Sequence, residues 1–181
     1  MTIVLVQKLA RLLCGHGDLE QEVADLKQRL LQTIPPSSPP EENTGVISSQ
    51  DIYNLLITTF PDYAGTIFIS DPDFKITSIG ELRRFIDWDN TNIFEYEAKY
   101  RDCDDAALAL AGAFAKYPGW SGFPVTYIWG NYGEGPHAFT IAVAWPSLEE
   151  RVPSLFYIEP QNDWELAPEL MEGMELLLLP M

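Results

Sequence analysis

Four prolines within six residues, Pro35-Pro36-Ser37-Ser38-Pro39-Pro40, constrain this chain more than any other feature. Proline lacks a backbone N–H and holds φ near about −65°, so such a run is neither helix interior nor central strand. The run divides the chain into an N-terminal segment (residues 1–34), a Pro-rich linker (35–45) and a larger segment (46–181). With 181 residues in all, 46% of them hydrophobic, the chain suffices for one well-packed core and an appendage, not for two full domains.

The N-terminal segment predicts helix over residues 3–33. Leu19, Val23, Leu26 and Leu30 alternate as the a and d positions of a coiled coil do, and Ile34 continues the pattern. Two readings stay open: a homo-oligomer formed through this helix, or an amphipathic helix packed on its own domain. The first residues have the outline of a lipoprotein leader. However, Lys8 and Arg11 interrupt the apolar run, and no small residues precede Cys14. No apolar stretch reaches the roughly 18–20 residues of a membrane span.

Charge sets further bounds. Eleven basic residues against 27 acidic ones leave −16, which repels nucleic acid phosphates and anionic membranes, so neither is expected as a partner. Cations, Ca²⁺ among them, are attracted. Cys14 and Cys103 lie far apart and suggest no disulfide framework. A cytoplasmic protein is expected, or a virion-associated one.

Beyond the linker, Ser48-Ser-Gln-Asp51 caps a predicted helix over about 50–59, and Ser78-Ile-Gly-Glu81 resembles a capping box opening a second, Leu82–Ile86. Asp87-Trp-Asp89-Asn90-Thr-Asn92 is rich in oxygen donors. It lacks the glycine and glutamate that an EF-hand requires, so a polar loop with Asx turns is expected. Trp120, Tyr127, Trp129, Tyr132 and Trp145 are expected to cluster as core and cleft wall around Gly130–Gly135. The closing stretch 174–181 predicts a last short strand.

The densest chemistry begins at Asp102-Cys103-Asp104-Asp105. Asp102 suits an N-cap, Cys103 falls at the first helical position, and Asp104 and Asp105 occupy the first turn of a small-residue helix. A helix N-terminus lowers a thiol's pKa, whereas the aspartates oppose its ionisation. Beyond the N-terminal helix there is one cysteine and one histidine. His137 follows a glycine-rich turn and opens the apolar strand His137–Trp145. A hairpin centred on Leu148 would place Glu159 opposite His137, with Asn162 or Asp163 as substitutes should the register slip. Cys103 as nucleophile, His137 as base and Glu159 as orienting acid then form a predicted triad.

That chain order suits an α+β domain of the papain-like/transglutaminase-like type, a Cys-bearing helix on an antiparallel sheet, with an N-terminal helix. Asp102-Cys-Asp-Asp-Ala-Ala, Pro136-His-Ala-Phe and Tyr157-Ile-Glu-Pro-Gln161 together resemble small bacterial and phage members of the family related to the Marasmius oreades agglutinin, in its papain-like cysteine peptidase domain. The resemblance covers roughly residues 50–181. It implies a cysteine hydrolase acting on protein or peptide substrates, and calcium with Asp104 and Asp105 as ligands. Missing are the lectin's β-trefoil and the glutamine that papain-type enzymes keep before the cysteine. Two other readings compete. One is a catalytically inactive assembly module, phage-derived, that oligomerises through the N-terminal helix. The other is a divalent-ion site of Asp104, Asp105, His137 and Glu159.

Overall fold

The computed structural model describes residues 21–23, 26, 34–93, 97, 102–131, 135–162, 164–166 and 175–178. The chain forms two compact units, Met1–Pro35 and Pro36–Met181. In the first, residues 21–23 are helical, and Leu26 and Ile34 are exposed. Leu19 and Leu30 lie outside the described residues, as do the remaining positions of the predicted helix.

Among its described residues, the second unit contains ten main elements. They are β1 (Gly45–Ser48), α1 (Ser49–Thr59), β2 (Asp73–Ile76), α2 (Ile79–Ile86), α3 (Cys103–Lys116), β3 (Val125–Asn131), β4 (Pro136–Ala144), β5 (Ser154–Glu159), β6 (Trp164–Leu166) and β7 (Glu175–Leu178). Strands β1 and β2 pair as a small antiparallel sheet. The main sheet runs β6-β5-β4-β3-β7, antiparallel throughout. The architecture is α+β, helices packed on an antiparallel sheet.

Local signals explain the helices. Ser48 Oγ accepts the Asp51 N–H at the start of α1, and Ser78 Oγ accepts the Glu81 N–H at the start of α2, satisfying donors that every helix start leaves free. Ile52 and Leu56, one turn apart, are the buried positions of α1. After α2, the Asp89 carboxylate accepts the Thr91 N–H at 3.0 Å and the Thr91 hydroxyl, the Asx turn expected of that polar run.

Strand β4 organises the core. Its alternate residues Phe139, Ile141 and Val143 join α1, β1 and β2 in one apolar cluster. Ala142 and Ala144, on the other face, join α2 and α3 in a second. A strand buried on both faces reads as a continuous apolar run, which is why the sequence shows one there. Alanines on the second face let α3 approach closely, so that Thr140 Oγ1 reaches the Ala107 carbonyl at 3.4 Å.

Two expectations change. The aromatic residues do not form one cluster: Trp120 packs with Phe85, Phe114 and Phe123, while Trp145 belongs to the opposite cluster. Nor is the Pro-rich run only a linker: from Pro36 onward it belongs to the larger unit and packs within it. Pro39 is buried, the Pro36 carbonyl accepts the Trp120 indole N–H at 2.7 Å, and Arg84 donates to the Ser37 carbonyl at 3.0 Å.

Candidate functional site

The site lies where the main sheet loses one ladder. Strand β5 pairs with β4 only from Thr140 to Ala144, whereas β3 pairs with β4 from Pro136 to Ala142. Among the described residues, the first residues of β4 therefore have a strand on one side only. Into that notch comes the start of α3: the Ala138 N–H, which no β5 residue takes, donates to Cys103 Sγ at 3.4 Å. Cys103 is partly buried and forms no disulfide among the described residues. The sulfur thus lies against the backbone one residue from His137.

His137 Nε2 and Glu159 Oε2 are 2.7 Å apart, both side chains mostly buried. The other carboxylate oxygen accepts the Gln161 N–H at 3.3 Å, and the Asn162 N–H bonds the Glu159 carbonyl. A tight turn after β5 thereby holds the carboxylate, and with Nε2 engaged by Glu159 the basic nitrogen of the neutral ring is Nδ1. The Phe139 ring stacks beside the imidazole, centroids 6.2 Å apart. Glu159 itself takes the imidazole Nε2, and Asp163 lies outside the described residues. Arg151, the other conceivable partner of Glu159, bonds the carbonyls of Leu148 and Glu42 instead.

The contact arises from a register other than the expected one. Ala144 pairs with Ser154 and Thr140 with Ile158, so the hairpin centres on Glu149, not Leu148, and His137 and Glu159 are diagonal neighbours. Trp145 causes the shift. Its N–H bonds Thr77 and its carbonyl accepts from Ile79, each at 2.8 Å. The residue expected to end the strand is thus drawn away to bridge Ser78. The Ser147 hydroxyl, accepting from the N–H groups of Glu149 and Glu150, shapes the lengthened loop. A slip of two preserves the face of every side chain, and diagonal partners stay within reach of long side chains.

The electrostatics of the thiol run opposite to a lowered pKa. Burial pushes Cys103 up first, and the charges of Asp102 and Asp104 add to it. The Ala138 N–H and the cysteine's own backbone N–H at the helix start pull the other way without prevailing. Asp102 occupies the N-cap of α3 but makes no side-chain cap. It hydrogen-bonds Asp104, whose carboxyl is raised first by that bond, then by burial and by the Asp102 charge.

Ligand atoms of Asp102, Cys103 and Asp104 lie within 4.8 Å of one another, and Asp105 is not in that group. Calcium takes about six to eight oxygens. Two carboxylates and a soft sulfur do not make that shell, so the described side chains do not fit calcium by themselves. Nor do Asp104, Asp105, His137 and Glu159 gather as one divalent-ion cluster among the described residues.

No protein-family model matches the chain, and no curated protein does. Solved structures do. PSL1a in complex with E64 aligns with a TM-score of 0.59 at 16% identity, over 72% of this chain and 48% of that one. The Polyporus squamosus lectin bound to the human-type influenza-binding epitope Neu5Aca2-6Galb1-4GlcNAc aligns with a TM-score of 0.57 at 17% identity, over 73% and 48%. The present chain thus spans about half the length of the structures it matches.

These matches correct the assignment made from short motifs. The neighbours are a lectin, so the cysteine-peptidase family drawn from the three motifs, its hydrolase activity and its thiol-protease class are set aside. Three short motifs fix a local arrangement of side chains, not a reaction. The second neighbour is described with a carbohydrate, not with a protein substrate. Among the described residues, no helix is long and apolar enough to cross a membrane.

Proposed function

We propose that this chain is one domain of a lectin-type protein, with Cys103, His137 and Glu159 as a ligand-capturing thiol centre. One observation carries the reading: the 2.7 Å His137–Glu159 contact stands beside a sulfur already held by the Ala138 N–H. In this centre the sulfur gives its proton to Nδ1 of His137 and forms a C–S bond to an electrophilic carbon. The bond to the leaving atom breaks with its electron pair, and the imidazolium returns the proton to that atom. The neighbour described with E64 supplies the probe.

The test incubates the full-length protein with E64 and follows intact mass and peptide mapping. Capture at Cys103, faster than at Cys14 and slowed about tenfold or more by His137→Gln, is expected. Equal labelling of the two cysteines in the folded protein would overturn the centre.

The glycan bound by the second neighbour favours one further reading, sugar binding by this domain itself. Calorimetric titration of the chain with that trisaccharide decides it: saturable heat supports the reading, and none at millimolar sugar rejects it.

A further inference from the structure

A second site lies far from the thiol centre. Trp145 follows His137 by eight residues, just past the end of β4, roughly 26 Å of extended chain. Beside Trp145 opens a cavity of about 520 Å³ whose apolar wall includes Ile47, Leu55 and Ile76, with Asp51 and Arg151 also lining it. That volume is within the usual range of small-ligand sites.

Arg151 is the informative residue. Its guanidinium lies over the Trp145 ring, 4.8 Å from the centroid. Nε donates to the Leu148 carbonyl at 3.0 Å and one terminal nitrogen to the Glu42 carbonyl at 3.1 Å. A guanidinium carries five N–H donors, and these two contacts use two. In a chain with 27 acidic groups against 11 basic ones, this arginine has no carboxylate at ion-pair distance among the described residues. Backbone carbonyls and an aromatic face hold it rigid instead, so little side-chain entropy is lost when an anion docks.

Asp51 brings the opposite charge. It lies in the first turn of α1, where its Oδ2 accepts the Ser48 hydroxyl at 2.6 Å, and its second oxygen is left to receive a donor. A phosphate dianion would meet one cation and one anion here, a poor match. A monocarboxylate with an ammonium and an apolar body matches all three surfaces.

We infer that this cavity binds a small zwitterionic carboxylate with an aliphatic side chain, an apolar amino acid or the end residue of a peptide. Its carboxylate takes the Arg151 fork, its ammonium faces Asp51, and its side chain covers Ile47, Leu55 and Ile76.

The test titrates the ¹⁵N-labelled full chain with leucine, isocaproate (no ammonium) and leucinamide (no carboxylate). It reads the Arg151 Nε–H and Trp145 indole N–H signals. Leucine should shift both saturably, isocaproate more weakly, and leucinamide at least about tenfold more weakly than leucine. Arg151→Lys, which keeps the charge and loses the fork, should weaken leucine about tenfold. Asp51→Asn should bring leucine and isocaproate level. Melting curves establish that each variant is folded; were either unfolded, the three-ligand comparison on the unmodified chain stands alone. Leucinamide binding as well as leucine, or no saturable shift with any ligand, would overturn the inference.

Discussion

At the level of single residues, Cys103 is governed by two opposed influences, and their balance has a measurable sign. The helix start and the Ala138 N–H favour the thiolate, while burial and the two aspartates favour the thiol more. Removing one negative charge should therefore lower the Cys103 pKa. Asp104→Asn is expected to speed iodoacetamide alkylation of Cys103 at pH 7 by about twofold to threefold, with the pH–rate midpoint moved down. An unchanged midpoint would mean that the aspartate charge is already screened. Asp104 carries a linked prediction for stability. Its folded pKa is raised, so its favourable contribution is present below the unfolded value near 3.8 and is lost as pH rises through the folded value. Relative to the native chain, Asp104→Asn should therefore gain about 1 °C in Tm between pH 3 and pH 7. A relative loss over that interval would contradict the sign.

Among the elements, the Pro-rich run and the residues around Trp145 tie distant parts of the larger unit together. Trp120 is almost wholly buried, and its indole N–H depends on the Pro36 carbonyl. A chain starting at residue 36 keeps that bond; one starting at residue 41 orphans a buried donor, at about 1–3 kcal/mol. The shorter chain should melt several degrees below the longer one, and equal Tm values would show that the strap adds nothing. At β1 the constraint is steric. A Cβ at Gly45 would sit 2.9 Å from the Trp145 ring, a rigid wall between two packed elements, so Gly45→Ala should cost about 1–3 kcal/mol, read as a lower urea midpoint. These two places also mark where the sequence is hardest to read. The caps of α1 and α2 and the doubly buried strand β4 follow from local pattern, because caps and alternation are local. His137 still meets Glu159 because a slip of two keeps both side chains on one face. The Trp120–Pro36 bond spans 84 residues, and no periodicity encodes it. The register of β4 and β5 depended on Trp145 pairing with Thr77 and Ser78, a long-range competition that turn length alone does not show. The thiol's raised pKa was legible only in part, since the aspartates are visible in sequence and the burial is not.

Across the whole molecule the dominant quantity is charge. A net −16 over 181 residues makes the compact state repel itself at low ionic strength, and any salt relieves that repulsion. Diffuse screening depends on ionic strength and ion charge; a built site depends on ion size and ligand count. Asp102 and Asp104 bring two carboxylates together beside a sulfur, which attracts a cation without supplying calcium's oxygen shell. Melting curves in EDTA, calcium, magnesium and sodium at matched ionic strength separate the two. Equal rises in calcium and magnesium, approached by sodium at matched ionic strength, are expected from screening. A calcium shift several degrees above magnesium, removed by Asp104→Asn, would instead require a specific shell around Asp102 and Asp104, because only a site selects between ions of the same charge.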